Sequence, residues 1–319
     1  MSVPNAHPLG KTRLVHAPEY NTDLAKFGID KPFALDRGDL VLKQLAIDFN
    51  QNIPILRPEP ISDEQILLVH TSEYLNQLSR TETWMNIFEF KPEEFNANTA
   101  SKPLPELIDD IRLKCGGTRL ACELALKTGM AANLGGGYHH AYPDHGSGFC
   151  VLHDIAIAIK DLKRKRLIER VLIIDLDFHQ GDGTAVIFKD DPAVFTLSVH
   201  SKEGWPDEKQ VSSLDVEIAE HETGDYLKRT KEAVLQTLET FSPDLVVFVA
   251  GSDPYEKDVL PGTRFIKLSL ETLLERDKFV IDTMADRQIP LAMVFSGGYG
   301  PDVWEVHYGA VKHLLIRSM

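Results

Sequence analysis

The chain has 319 residues, 43% of them hydrophobic, which is enough for the large buried core of one α/β domain. Its 48 acidic and 34 basic residues give a formal net charge of −14, which argues against broad electrostatic binding to nucleic acid or anionic lipid. The three cysteines form no CxxC pair, no signal-peptide-like segment opens the chain, and the longest apolar stretch (245–250) is too short for a membrane span, so we expect a cytoplasmic protein.

Predicted helices and strands alternate along most of the chain. In order, the patterns predict helices at 37–50 and 72–79, a long loop or small insertion at 84–105, helices at 116–130 and 154–166, strands at 169–179 and 193–200, a helix at 224–241, a strand at 243–253, a helix at 269–288 and a strand at 289–300. Strands separated by helices in this way predict a single α/β domain over residues 1–319. We expect a central parallel β-sheet with helices on both faces.

The predicted strands end in polar side chains that could carry chemistry. These are Asp175, Asp177, His179, Ser198, His200, Asp253, Ser296 and Tyr299. Open parallel sheets bind ligands beyond the carboxyl ends of their strands, so we expect these side chains to lie along one edge. The loop GGGYHHAYPDHGSGFC at 135–150 contributes an adjacent histidine pair and is expected to join them.

The segment DLDFH at 175–179 favours a divalent metal site. Residues two apart on a strand share a side, so Asp175, Asp177 and His179 would face one way. A lone aspartate there could equally be a solvated strand end, but three titratable groups after a strongly apolar run favour a metal. Asp253 is the best candidate for a further ligand, and its alternative role is an Asx turn before Pro254.

Five motifs in this order and spacing resemble the zinc-dependent histone deacetylase family, which shares its fold with arginases. They are GGGYHH at 135–140, SGFC at 147–150, DLDFHQGDGT at 175–184, AGSD at 250–253 and SGGY at 296–299. They look most like the class IV branch and its bacterial relatives. Two further segments, KPFALDRG at 31–38 and LVHTSEYLNQL at 68–78, weakly resemble the N-terminal part of the family. The resemblance implies an arginase/deacetylase-like fold and a zinc-dependent hydrolase that removes acetyl or longer acyl groups from lysine side chains of peptides or proteins.

The resemblance also implies a role for each matching residue. Asp177, His179 and Asp253 match the zinc ligands, and Tyr299 matches the residue that polarises the amide carbonyl. The acid/base pair and the carboxylates that hold it match His139, His140, Asp175 and Asp182. Gly148 and Phe149 match the tunnel for the acyl-lysine stem, with Trp205 and Leu260 as further wall residues. A potassium ion is implied at Asp175, Asp177, His179, Ser198 and Val199, partly through main-chain carbonyls.

Three other functions are alternatives for a chain with these motifs. A dimanganese ureohydrolase would need further Asp and His ligands, whereas SDPYEKD at 252–258 lacks the DxDxxDP arrangement and leaves Tyr299 without a role. A deacylase of a small acylated amine, such as an acetylpolyamine, would use the same residues. An inactive acyl-lysine-binding module is disfavoured because every proposed catalytic residue is present.

The remaining histidines and the cysteines are expected to have no catalytic role. We interpret His145, His153, His200, His221, His307 and His313 as mostly surface or helix residues. The cysteines, Cys115, Cys122 and Cys150, are interpreted as small buried hydrophobic residues. No feature of the sequence defines an oligomeric state.

Overall fold

Eight parallel strands form one sheet in the computed structural model, which describes residues 13–31 and 33–318. The strands are β1 (Leu14–Val15), β2 (Ile55–Leu56), β3 (Met130–Asn133), β4 (Val171–Asp175), β5 (Val194–Ser201), β6 (Leu214–Ile218), β7 (Leu245–Val249) and β8 (Leu291–Val294). Their order across the sheet is β2-β1-β3-β8-β7-β4-β5-β6. The parallel sheet predicted from the sequence is confirmed.

Helices connect the strands and cover both faces. They are α1 (Arg37–Asp48), α2 (Asp63–Ile66), α3 (Ser72–Gln77), α4 (Thr81–Ile87), α5 (Ile108–Thr128), α6 (Asp154–Arg164), α7 (Asp182–Phe188), α8 (Tyr226–Thr240), α9 (Leu270–Asp286) and α10 (Trp304–Arg317). No helix in the described part of the chain is both long and apolar enough to cross a membrane. The N-terminal segment considered for a signal peptide lies largely outside the described residues.

Alternating residues of the central strands build two cores, one on each face. Leu172, Ile174 and Phe248 pack toward α1, α8, α9 and α10. Ile173 and Val247, which lie between them on the same strands, pack toward α5 and α6. This alternation follows from the two-residue period of a strand and leaves the sheet buried on both sides. The three cysteines are buried and unpaired, as predicted.

Most predicted elements are found near their predicted bounds, but three strands end four to six residues earlier than predicted, at Asp175, Val249 and Val294. Two other differences concern a helix and a loop. Helix α5 begins at Ile108, eight residues before its predicted start at 116 (116 − 108). Gly116 therefore lies inside the helix, where a Cβ would come within 1.9 Å of the Glu59 carbonyl oxygen, so a close backbone approach requires the glycine. The predicted loop at 84–105 begins in α4, and Trp84 is fully buried there.

Candidate active site

The strand ends and the histidine loop meet at one edge of the sheet. Strand β4 ends at Asp175, and β7 and β8 run beside each other to Val249 and Val294. The polar side chains that follow these strands lie in or beside one cavity with the 134–140 loop. Its volume is about 140 Å³, and its walls include His139, His140, Asp177, His179 and Tyr299.

Asp177, His179 and Asp253 form a compact triad. One potential ligand atom from each residue lies within 4.8 Å of the other two. His179 Nδ1 is 3.3 Å from Asp177 Oδ1 and 3.0 Å from Asp253 Oδ2. Main-chain donors hold the carboxylates: Phe178 N–H donates to Asp253 Oδ1 at 2.9 Å, and Gly297 N–H donates to Asp177 Oδ2 at 2.8 Å.

The chemistry of this triad fits a divalent cation. Asp177 and Asp253 are 1% and 0% exposed, so two carboxylates share a site with almost no water. Burial, together with the negative charge of Asp177, raises the pKa of Asp253 to about 7. A cation would remove that repulsion, and two carboxylates with one imidazole are ligands that zinc accepts while leaving a coordination position open.

The adjacent histidines are each paired with a different carboxylate. His139 Nδ1 lies 2.7 Å from Asp175 Oδ2, and His140 Nδ1 lies 2.6 Å from Asp182 Oδ1. The two rings are 3.9 Å apart between centroids, and His139 Nε2 is 3.7 Å from Asp177 Oδ1. Both pairs predicted from the motifs are therefore in contact.

The same pair is electrostatically asymmetric. Burial would lower the pKa of His139, but the charges of Asp175 and Asp177 outweigh it and raise that pKa to about 10. Burial and the neighbouring charge of His139 lower the pKa of His140 to about 4. Two imidazoles with pKa values pushed apart are suited to carrying different protonation states in one site.

Asp154 fixes the loop that carries the histidine pair. Its carboxylate accepts hydrogen bonds from Gly137 N–H at 2.8 Å, from Tyr138 N–H at 2.7 Å and from the Thr118 hydroxyl. Gly137 has a φ of +85°, and a Cβ there would lie 2.6 Å from Ser296. The loop therefore needs glycine at this position to pass close to the end of β8.

Aromatic side chains line the approach to Tyr299. The Phe149 ring lies 6.1 Å from the Tyr299 ring and 5.3 Å from Phe33, measured between centroids. Phe33 also lies 6.2 Å from Tyr299. Burial and the charges of Asp253 and Asp177 raise the pKa of Tyr299, which keeps its phenol protonated. Gly148 and Phe149 both line the cavity.

The two further wall residues are placed differently. The Trp205 ring lies 4.7 Å from the His140 ring and 6.2 Å from the His179 ring, beside the histidines. Leu260 does not line the cavity; it follows Val259, whose N–H bonds to the Tyr299 carbonyl, and begins a 3₁₀ turn at 261–265. Neither residue lines the cavity itself: Trp205 packs against the histidine rings, and the role of Leu260 as a wall residue stays a prediction.

Three of the residues implied in potassium binding lie on neighbouring strands, whereas Asp177 and His179 follow the end of β4. Asp175 of β4 pairs with Ser198 of β5, and Val199 is fully buried. The Ser198 hydroxyl is 2.9 Å from His200 Nδ1. His200 on β5 and His153 directly before α6 are fully buried outside the helices, so the interpretation as surface or helix residues is wrong for these two.

Three further residues of the site were missed by the sequence analysis. Arg37 lines the cavity and donates from its guanidinium to the carbonyl oxygens of Ser296 and Gly297 at 2.9 and 3.1 Å. Phe33 is the second, and Asp154 is the third. Arg37 and Phe33 lie within KPFALDRG at 31–38, a segment that only weakly resembles the N-terminal part of the family. Asp154 is the first residue of a predicted helix, where the helix dipole favours an acidic side chain.

The parallel sheet and its polar strand ends define an arginase/deacetylase-like protein. Residues 31–315 match the family model described as histone deacetylase domain. The chain belongs to the histone deacetylase family.

Individual relatives agree with this assignment. The chain is 35% identical to histone deacetylase 2 of Arabidopsis thaliana over 299 residues, which are 92% of this chain and 76% of that protein. It is 28% identical to the acetoin utilization protein AcuC of Bacillus subtilis over 309 residues, 92% of this chain and 78% of the relative. It is 42% identical over 205 residues to an uncharacterized protein of Picosynechococcus sp., which are 63% of this chain and 66% of that protein.

A solved structure supports the fold independently. The crystal structure of the HDA15 HD domain superimposes with a TM-score of 0.68 over 95% of this chain and 91% of that chain, at 18% sequence identity. At this identity the likeness concerns the fold.

Proposed function

We propose that this protein is a zinc-dependent lysine deacylase that hydrolyses the amide between an acetyl or longer acyl group and the side-chain amine of lysine in peptides or proteins. One observation carries the proposal. Asp177 and His179 of the buried triad line one cavity with the carboxylate-held pair His139 and His140, and Asp253 lies beside Asp177 and His179. Membership of the histone deacetylase family supports the same reaction class.

Zinc held by Asp177, His179 and Asp253 would act as a Lewis acid on the amide and would favour the attack of water. Hydrogen bonds within the protein orient these side chains. The Ser296 hydroxyl and Gly297 N–H donate to Asp177 Oδ2 at 2.9 and 2.8 Å. The other oxygen, Asp177 Oδ1, then lies 3.3 Å from His179 Nδ1. Hydrogen bonds of this kind orient ligating carboxylates.

The histidine pair would move the protons of the reaction. Hydrolysis forms a carbon–oxygen bond with water and breaks the carbon–nitrogen bond of the amide. One imidazole takes a proton from the attacking water, and one delivers a proton to the departing lysine amine, which is a poor leaving group without it. Asp175 and Asp182 hold the Nδ1 atoms, and each Nε2, which forms no hydrogen bond with the described residues, would take part in this exchange.

Tyr299 would stabilise the carbonyl oxygen as negative charge develops on it. Its phenol is kept protonated by burial and by the nearby carboxylates, so it can donate a hydrogen bond. Phe149 and Phe33 provide apolar walls for the lysine stem, with the Gly148 carbonyl beside them, and Trp205 extends the wall near His140. Leu260, which precedes the 3₁₀ turn at 261–265, is proposed as a further wall residue.

Further features complete the proposal. Residues 1–319 would act as one catalytic domain in the cytoplasm, without direct nucleic-acid binding, in line with the net charge of −14. A potassium ion would be held by side-chain and main-chain oxygens near the pairing of Asp175 with Ser198. Its residues would be Asp175, Asp177, His179, Ser198 and Val199.

The test is hydrolysis of lysine peptides that carry acyl groups of graded length, compared with acetylated polyamines. Zinc-loaded protein is expected to release acylate from the peptides, and chelation is expected to abolish the release. The preferred acyl length then reports the usable depth of the cavity. Hydrolysis restricted to acetylpolyamines would favour the small-amine alternative, and hydrolysis that survives complete zinc removal would contradict the proposal.

A further inference from the structure

The hydrogen-bonded ladder between β4 and β7 stops just before the metal ligands. Asp175 is paired with Val249, and the last bond of the ladder runs from Leu176 N–H to the Val249 carbonyl at 3.1 Å. Beyond that point, the segment that follows β4 continues to Asp177 and the segment that follows β7 continues to Asp253. Among the described residues, no bond between main-chain groups joins the two segments at the level of the carboxylates, where Phe178 N–H donates to Asp253 Oδ1 at 2.9 Å.

Arg276 bonds these two segments where the ladder has ended. The residue lies on α9, and its side chain is fully buried. Its Nη1 donates to the Leu176 carbonyl at 3.0 Å, and its Nη2 donates to the Gly251 carbonyl at 2.9 Å. Leu176 directly precedes Asp177, and Gly251 lies two residues before Asp253. A rigid planar guanidinium is suited to fixing the spacing of two acceptors.

The orientation of Arg276 is itself fixed. Its Nε donates to Asp277 Oδ1 at 2.7 Å, and its Nη1 also lies 3.4 Å from the Tyr226 hydroxyl. Asp277 is fully buried as well, so the pair contributes no net charge to the core. A buried ion pair adds little stability over apolar residues of similar size, which favours a role for this pair in fixing local geometry.

We propose that Arg276 is a positioning residue for the metal centre: by holding the Leu176 and Gly251 carbonyls, it sets the spacing between Asp177 and Asp253. The inference rests on the proposed metal site but not on any substrate. It differs from a general contribution to folding, because a general contribution would change unfolding without changing the affinity for metal.

The chain contains a matched control for this distinction. Arg13 also uses its guanidinium to bond main-chain carbonyls, at 2.6 Å to Thr128 and 2.8 Å to Ser318. It lies just before β1, beside the start of β3, away from the strand ends that carry the triad. Removing its guanidinium should lower stability without altering the triad.

The experiment is a titration of the full chain with Co²⁺, which binds zinc-type ligands and has visible absorption bands that report coordination geometry. The double variant Arg276→Gln/Asp277→Asn removes both charges together, so neither is left buried and unpaired. We expect its dissociation constant for Co²⁺ to rise at least about tenfold, with a changed absorption spectrum. Arg13→Gln should lower the unfolding temperature and keep the dissociation constant within about twofold of wild type.

Two further variants keep the inference testable. Asp277→Asn alone weakens one contact that orients the guanidinium but keeps both Nη donors, so its affinity for Co²⁺ should fall less than that of the double variant. Arg276→Lys keeps the charge but cannot reproduce the planar fork, so it should show an intermediate loss of affinity and serves if the double variant does not fold. Wild-type affinity and spectrum in the Arg276 variants would overturn the inference, and so would an equal loss of affinity in Arg13→Gln. A wild-type chain that binds no Co²⁺ would overturn the metal site, and with it the role of Arg276.

Discussion

His140 Nδ1 lies 2.6 Å from Asp182 Oδ1, and the other oxygen of that carboxylate accepts a hydrogen bond from the Tyr142 hydroxyl at 3.0 Å. Asp182 thereby fixes the ring of His140 and stabilises its charged form. We expect Asp182→Asn to lower kcat by about 10- to 100-fold, since partners of this kind set both the tautomer and the basicity of an imidazole. Tyr142→Phe, which leaves the bond to His140 in place, should keep kcat near the wild-type value. Steady-state kinetics on an acyl-lysine peptide measures both, and equal effects of the two variants would contradict the assignment.

Tyr299 offers a separate test of carbonyl polarisation. Replacing it by phenylalanine removes one hydroxyl and leaves the ring that packs near Phe33 and Phe149. We expect Tyr299→Phe to lower kcat by about 100- to 1,000-fold, as the loss of one donor to a developing oxyanion does. Zinc content and unfolding temperature should match those of wild type. A variant that retains wild-type kcat would exclude Tyr299 from the reaction.

Gly137 tests how closely the histidine loop must approach β8. At Gly137, with φ at +85°, an added Cβ would lie 2.6 Å from Ser296, whereas at Gly129, with φ at +87°, it would meet no atom within 4 Å. A positive φ strains the backbone of alanine at either position, so the main difference between the two sites is the clash. The clash at Gly137→Ala should cost about 1–3 kcal/mol more and should lower kcat, because the loop that carries His139 has to move. Urea denaturation and kinetics of both variants check this, and indistinguishable variants would contradict it.

His70 predicts a pH dependence of stability that is separate from catalysis. Its Nε2 accepts a hydrogen bond from His153 N–H at 2.9 Å, and burial lowers its pKa to about 4. The unfolded chain, with a pKa near the ordinary value of about 6.5, binds this proton more readily. The stability that neutral His70 contributes is therefore fully present above about pH 6.5 and is lost as the pH falls toward 4. Between pH 7 and pH 5 this loss lowers the free energy of unfolding by about 2 kcal/mol.

His70→Gln can keep the acceptor and cannot be protonated. Its free energy of unfolding should therefore fall less between pH 7 and pH 5 than that of wild type, by about the same 2 kcal/mol. Urea denaturation at each pH gives the difference. His145→Gln, at an exposed position, controls for the loss of an imidazole. If the free energy of unfolding depends on pH in the same way in wild type and in His70→Gln, the folded protein does not disfavour protonation of His70 and the prediction is wrong.

The parallel sheet and the triad could be predicted because local patterns specify them. The apolar run before Asp175 defines β4. Beyond its end, Asp177 and His179 lie in the triad and Phe178 packs in the core, as the alternation predicted, although these residues are no longer in a strand. The motif order then placed Asp253 beside them. These features depend on residues close in sequence or on a pattern that resembles a known family.

The supporting contacts could not be predicted, because they join residues far apart in the chain. Arg37 reaches carbonyl groups near residue 297, and Arg276 reaches those of Leu176 and Gly251. No local pattern signals such a contact, and an arginine within a helix usually indicates a solvated face. Burial of His200 was missed for the same reason, because neighbouring strands rather than its own sequence enclose it.

The most direct measurement of the central claim is anomalous X-ray diffraction at the zinc absorption edge from crystals of the zinc-loaded protein. The account predicts one strong peak bounded by Asp177, His179 and Asp253, and its loss in Asp253→Asn crystals grown in the same way. A peak elsewhere, or zinc retained in the triad position without Asp253, would contradict the assignment of these residues as the metal centre.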